Sequence, residues 1–564
     1  MRTVNRHFSA ISLIALGLAA CSDTSGAPDD VIFSEPVRIF TADTIYTGNP
    51  DEPQISGLAV NAEGRILATF PLGSDANPVT PDGSAEVIDF GAATLFPGFV
   101  DGHAHLLGIG QRELTLDLTG TASIDELVTH IEAVVYGSPS DQIFYGRGWI
   151  ETGWPSGRMP NAADLDGAAP DNPVILGRSD GHSLVANSAA MAAAGITNDT
   201  PDPDGGTIVR DATGAATGIF IDNAMGLLTS LIAVPSEAEI AMALETGAQV
   251  YISRGWTGMH NMSVAPEQAP IMQALDADGK LPLRLHNAFD SDGFDIAAAR
   301  AHETDTIQNR AVKIYMDGAL GSRGAHLLAP YSDQPDTIGL SLTSQGDLSD
   351  TASRAATDNV QLAMHAIGDL ANRRLIEMAE RMGPTVGGMS KLRWRIEHTQ
   401  ILDAGDVSRM ANSGLIASMQ PSHAIGDLHF APARLGQDRL VGAYAWRGLL
   451  DAGGLVVGGS DAPVEIGSPL IEFYAAVARK DLEGFSGEGW HPEQAVTRKE
   501  ALAMFTSAPA FASFQEDSLG TIEIGKIADL SVFSADLMTI PEADILKAEA
   551  VATVVAGDIV WQAE

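Results

Sequence analysis

The sequence predicts an α/β protein built on a (β/α)8 TIM barrel, with a small β-sandwich formed from both chain ends and a subdomain inserted after the first barrel strand. Three observations predict this architecture. Eight short apolar runs, each ending in polar residues, recur through the middle of the chain, and helical stretches follow most of them. The two ends have a different texture, short apolar runs divided by turn residues. One interval between consecutive barrel strands is far too long for a single loop and helix.

Residues 1–20 come first and read as a signal peptide. Arg2 and Arg6 lead into an apolar run over 11–20, too short to span a bilayer as a mature helix. The run ends in Leu18-Ala19-Ala20-Cys21, which resembles the bacterial lipobox and implies cleavage before Cys21 and lipidation of its sulfur. A soluble signal peptide with an incidental cysteine is the alternative. Residues 21–32 then form a polar tether. Ser22, rather than Asp, follows the cysteine. By resemblance to Gram-negative lipoproteins, this implies a lipid anchor in the outer membrane, facing the periplasm. Cys21 is the one cysteine of the sequence, which excludes disulfides, Cys-ligated zinc and a cysteine nucleophile from the mature body.

Residues 33–92 and 515–564 are expected to pair as the composite sandwich. Val37-Arg38-Ile39-Phe40 and Gly57-Leu58-Ala59-Val60 typify one end, Ala552-Thr553-Val554-Val555 the other. The barrel occupies 93–514, with strands expected at 93–99, 255–259, 281–286, 311–316, 360–365, 392–398, 414–419 and 454–458. About 150 residues part the first strand from the second, so 112–240 is read as an inserted lid over the barrel mouth.

The 564 residues, 45% of them hydrophobic, can bury a large core. Lys+Arg number 33 against 73 Asp+Glu, a formal net charge of -40. Such a surface excludes nucleic acid as a partner and cannot be held electrostatically on anionic lipid.

The strongest chemical signal is Pro97-Gly98-Phe99-Val100-Asp101-Gly102-His103-Ala104-His105. Alternation along a strand puts His103 and His105 on one face, so both imidazoles can reach one divalent ion. Met364-His365, Ile396-Glu397-His398 and Gly459-Ser460-Asp461 end three further strands. Strand ends of one barrel converge on its mouth, and the combined nitrogen and oxygen donors suit zinc, or less often iron, nickel or manganese.

These motifs, with Gly148-Trp149, Gly181-His182, the stretch from Lys313 to Arg323, the run from Met419 to His423, and Gly520-Thr521-Ile522-Glu523-Ile524-Gly525-Lys526-Ile527-Ala528-Asp529-Leu530, resemble the amidohydrolase superfamily, in particular the branch containing N-substituted formamide deformylases. The resemblance implies a hydrolase acting on carbon–nitrogen bonds other than peptide bonds, with one or two divalent ions. It assigns His103 and His105 to a first metal, His365 and His398 to a second, and Asp461, itself among the metal residues, to the attacking water as proton shuttle; a plain ligand or a helix cap is the alternative for Asp461. Lys313 falls where relatives carry a carboxylated lysine bridging two ions; an unmodified lysine that binds substrate or is simply buried is the alternative. Coordination lowers the pKa of water toward roughly 7 and polarises a carbonyl.

Four further side chains are candidates for substrate binding. His182 and Trp149 lie in the lid, where Trp149 can equally be packing. Arg323 can hold a carbonyl or carboxylate, or form a structural ion pair. His423 can contact substrate or cap a loop. His260 and His286 are expected to be structural, and Asp369 to cap the helix after His365. The expected partner is a small amide-like substrate, with a homodimer left open. Cyclic-amide, ester or isomerase chemistry on the same site, and a non-catalytic lipid-anchored solute-binding protein, are the competing readings.

Overall fold

The computed structural model describes residues 37–73, 85–140, 142–232, 234–487 and 489–564. The expected signal peptide, Cys21 and the expected tether lie outside the described residues.

Eight parallel strands form the central sheet. In chain order they are β1 (Phe99–Ala104), β2 (Trp256–Val264), β3 (Arg284–Phe289), β4 (Ile307–Tyr315), β5 (Gln361–Ala366), β6 (Arg395–His398), β7 (Ile416–Met419) and β8 (Val456–Gly458). Each pairs with its sequence neighbour, the order expected when right-handed crossovers wind a barrel. Every residue of β3, β5, β6, β7 and β8 is buried, as strands covered on both faces must be. The seam between β8 and β1 is drawn together just beyond the strand ends. Asp461 N–H donates to His103 O at 2.6 Å, and His105 N–H to Ala462 O at 2.8 Å. Asp101 braces the same seam, accepting from Ser460 N–H at 2.9 Å, Ser460 Oγ at 2.6 Å and Tyr251 Oη at 2.9 Å.

One strand departs from the sequence expectation. The run expected as the first barrel strand, 93–99, divides at Gly98. Thr94–Pro97 belongs to a different sheet, and β1 starts at Phe99. Apolar continuity cannot reveal that a chain changes sheets, but Gly98 can: a β-carbon there would stand 2.3 Å from Thr257 Oγ1.

Thr94–Pro97 pairs antiparallel with Leu530–Phe533 and parallel with Arg38–Tyr46, so strands from both ends of the chain share one eight-stranded sheet. That sheet is tied to the barrel by a buried ion pair. Arg284 on β3 donates through Nε and through Nη2, the latter at 3.2 Å, to the Asp529 carboxylate.

The segment after β1 carries its own six-stranded sheet, whose strands run from Leu116–Asp117 to Ala216–Asp222 and bury a separate core around Trp149, Leu176 and Val185. It leaves the barrel after helix Leu106–Leu114 and returns through helix Glu237–Ser253. The second helix begins with a capping box, Ser236 Oγ accepting from Glu239 N–H and Glu239 Oε2 from Ser236 N–H at 2.8 Å. The two helices meet through glycine. A β-carbon on Gly110 would fall 1.7 Å from Ala243 O, and one on Gly247 2.5 Å from Leu106 O. Among the described residues no helix is long and apolar enough to cross a membrane.

Candidate metal centre and active site

The C-terminal ends of the barrel strands face a cavity of about 780 Å³, roofed by the inserted segment. His105, Lys313, His365, His398 and Asp461 line it, and His103 lies immediately beneath. His103 comes from β1, and His105 caps the helix that follows. Lys313 comes from β4, His365 from β5 and His398 from the end of β6. Asp461 lies three residues past β8.

Asp461 is the point of convergence. Its Oδ1 stands 3.0 Å from His105 Nε2 and 3.3 Å from His103 Nε2; its Oδ2 stands 3.6 Å from His423 Nε2. Ligating atoms of His103, His398 and Asp461 all lie within 4.8 Å of one another. Asp461 and His398 both hold left-handed backbone, φ +61° and +73°, unusual for residues with a side chain and typical of strain retained at functional sites. Burial pushes the Asp461 carboxyl up, but the charge of His103 and hydrogen bonds from His103 and His105 hold it well below the usual carboxylate range.

Each histidine has its second nitrogen engaged or directed by the protein, which is how metal-ligating imidazoles are oriented. His103 Nδ1 donates to Glu397 Oε2 at 2.6 Å, leaving Nε2 to point at Asp461 and at Lys313 Nζ, 3.5 Å away. His105 Nδ1 donates to Met262 O at 3.1 Å, and His398 Nδ1 to Gln420 Oε1 at 2.9 Å. His365 is turned the other way. Its Nε2 is buried without a hydrogen-bond partner, 3.5 Å from Asp317 Oδ1, so a proton there faces a carboxylate and Nδ1 is left free. Burial first, then neighbouring charges, keeps His365 and His398 well below the ordinary histidine pKa, in the neutral form that ligates. The donor set thus fits a divalent metal.

Behind these histidines lies a buried polar layer. Arg395 clamps Glu397 through Nε at 2.7 Å and Nη2 at 3.0 Å, both side chains fully buried, and also reaches His260 and Gly102 O. His286 bonds Gln361 and Gln308. His260 and His286 are therefore structural, as the sequence reading has it. Asp317 accepts three backbone N–H groups, from His326, Ile367 and Gly368, and so fixes the loop beyond His365.

Two substrate-binding assignments need correction. Trp149 does not face the cavity: its indole N–H donates to Leu176 O at 2.9 Å and its ring is fully buried in the lid core. The pairing of its strand shifts between Arg147 and Trp149, around Gly148 at φ +111°, and this bulge re-aims the side chains. Arg323 also lies off the cavity wall, paired with Asp333 at 2.9 Å beside Arg434. Asp369 is the first residue of helix Asp369–Val386 rather than its cap, and accepts from Leu328 N–H at 2.8 Å. His182 and His423 do line the cavity. His182 Nδ1 stands 2.7 Å from Asp222 Oδ1, and although burial opposes its charge, that carboxylate carries its pKa above the ordinary value. The sequence reading passed over Arg147, Asp180, Tyr315, Gln400 and Glu465, which also line the cavity. Arg147 and Asp180 adjoin quoted motifs, but nothing local distinguishes them from surface charges.

A family model described as the amidohydrolase family matches residues 86–561. The chain is 34% identical over 487 residues to the putative amidohydrolase YtcJ of Bacillus subtilis (strain 168), covering 85% of this chain and 90% of that protein. It is 29% identical over 511 residues to the N-substituted formamide deformylase of Arthrobacter pascens, covering 88% and 93%. Its fold is similar to the crystal structure of an uncharacterized metal-dependent hydrolase from Pyrococcus horikoshii, with a TM-score of 0.70 at 24% identity over 90% of this chain and 99% of that one.

Proposed function

The chain is a hydrolase of the amidohydrolase family, and from that premise we propose that it cleaves carbon–nitrogen bonds other than peptide bonds in small amide or N-acyl molecules. The observation that carries this reading is the convergence on Asp461 of histidines whose far nitrogens are held by protein acceptors, at the floor of the cavity. His103 and His105 would hold one ion, His365 and His398 a second. A divalent ion held there, which we take to be zinc, would supply an activated water and polarise the scissile carbonyl. Asp461, anionic and within 3.0 Å of the ligand His105, accepts the water's proton and returns it to the leaving nitrogen. Lys313 completes the set as a carbamate. An ammonium buried 3.5 Å from His103 Nε2 would repel a cation, and burial already lowers its pKa toward the neutral amine that carboxylation needs. His182 and His423 stand over the cavity as groups for the substrate carbonyl.

The test is amine release from a panel of N-formyl and N-acetyl amines by the zinc-loaded chain and by Asp461→Asn. Asn keeps the shape but cannot take a proton. We expect wild-type turnover, and in the variant a loss of roughly 10²–10⁴-fold with the histidine-bound metal retained. Near-normal turnover in a metal-replete Asp461→Asn would falsify the shuttle role.

A further inference from the structure

We propose that the substrate carries a carboxylate and that Arg147 receives it. This deepens the function proposed above, and rests on it, by naming the substrate class: N-acyl compounds bearing an acid group, such as acylated amino acids.

Arg147 lies on strand Phe144–Trp149, inside the lid sheet, and lines the cavity. Its hydrogen bonding is unfinished. Among the described residues its one side-chain hydrogen bond is from Nη2 to Ser179 O at 3.2 Å, and no carboxylate stands within ion-pairing reach. The other basic groups of the cavity are committed. Arg178 is paired with Glu151, at 2.8 Å, and with Asp180, and Lys313 stands at the metal centre. This half-buried guanidinium has no carboxylate at ion-pair distance, only the wider field of Asp461 and Asp180, and a ligand anion set against it would complete its pairing.

Its position suits that task. A β-carbon added to Gly108 would stand 3.6 Å from Arg147 Nη1 and 3.1 Å from the Pro463 ring. The guanidinium therefore lies beside the chain three residues past His105 and close to the chain two residues past Asp461, at the edge of the reacting centre. Its planar fork matches a carboxylate with two parallel hydrogen bonds. A phosphate dianion fits less well, because Arg147 is the single unpaired guanidinium of the cavity among the described residues.

Phenylacetate and 2-phenylethanol share a skeleton and differ in the carboxylate, and calorimetry on the zinc-loaded full chain tests the inference with them. Wild type should bind phenylacetate at least about tenfold more tightly, and Arg147→Gln should bring the preference below about threefold with metal content unchanged. Arg147→Lys, which keeps the charge but not the fork, should retain part of the preference and serves if the Gln variant fails to fold. A preference that survives intact in Arg147→Gln assigns the carboxylate to the metals and overturns the inference; so does a wild type without preference. Binding is read here without turnover. A chain that prefers phenylacetate through Arg147 yet hydrolyses no amide would defeat the amide reading and leave Arg147 as an acid receptor.

Discussion

Glu397 makes no contact with the cavity, yet its neutralisation should weaken metal binding. Its Oε2 accepts from His103 Nδ1 at 2.6 Å while both oxygens accept from Arg395, and all three side chains are fully buried. In Glu397→Gln the volume is kept, but one of the two acceptor positions becomes an NH2 group that must face His103 or Arg395. Two costs follow. Losing the anion behind His103 lowers the basicity of the ligating nitrogen, worth about 10–100-fold in metal affinity. Leaving Arg395 charged without its partner in a dry interior costs about 3–5 kcal/mol of folding stability. The assays are zinc competition against a chelator of known affinity, and calorimetric melting of metal-free and metal-loaded protein. Both the affinity and the metal-free melting temperature should fall, and excess zinc should restore part of the latter by mass action. A folded Glu397→Gln whose zinc affinity stays within twofold of wild type would refute the claim that this carboxylate tunes His103.

Three other outcomes are expected. Asp529→Asn should destabilise the protein by about 3–5 kcal/mol in urea melts, because it strips the buried Arg284 of its counter-charge where the terminal sheet joins β3; an unchanged midpoint would show that the pair is solvated. Burial raises the Asp427 carboxyl to about 7, against the lowering effects of the Tyr444 hydrogen bond and the Arg178 charge. The folded state therefore binds the extra proton between pH 3.8, its ordinary value, and about 7, so this group subtracts stability as pH rises through that window. Asp427→Asn can still accept from Gln400 and Tyr444 through its oxygen. Its melting temperature relative to wild type should climb from pH 4 to pH 7 and then level, whereas a difference that does not vary with pH would discard the assignment. Cys21→Ala should move the protein from membrane to soluble fractions of the cell envelope, and unaltered fractionation with a cleaved signal peptide would count against lipidation.

Seven of the eight barrel strands were legible because a parallel strand covered on both faces is a bare apolar run, and the run ends where the chain meets the cavity. His365, His398 and Asp461 were legible for the same reason, standing at or just beyond those ends, whereas His103 was legible from its alternation with His105. Asp369 was misplaced by one residue at a helix start; the other failures were not visible locally. Gly98 divides one apolar run between two sheets, and only the approach of Thr257, far along the chain, reveals it. Trp149 follows a bulge that turns it away from the cavity, and periodicity carries no sign of a bulge. Arg323 meets Asp333 and the distant Arg434, whereas Arg147 meets no acid, and a sequence does not distinguish a paired arginine from an unpaired one.

The helices on either side of the lid touch backbone to backbone at Gly110 and Gly247. The polypeptide thus departs from the barrel and rejoins it through one doorway, whose jambs are locked without intervening side chains. Such a doorway makes the lid exchangeable as a unit, since whatever is spliced between the jambs need only begin and end at neighbouring helix ends. His105 opens the first helix, so the same contact shields the catalytic floor from changes in the roof. Selectivity can diversify above a hydrolytic core that stays fixed, and grafting another lid at 115 and 236 is the operation this geometry permits.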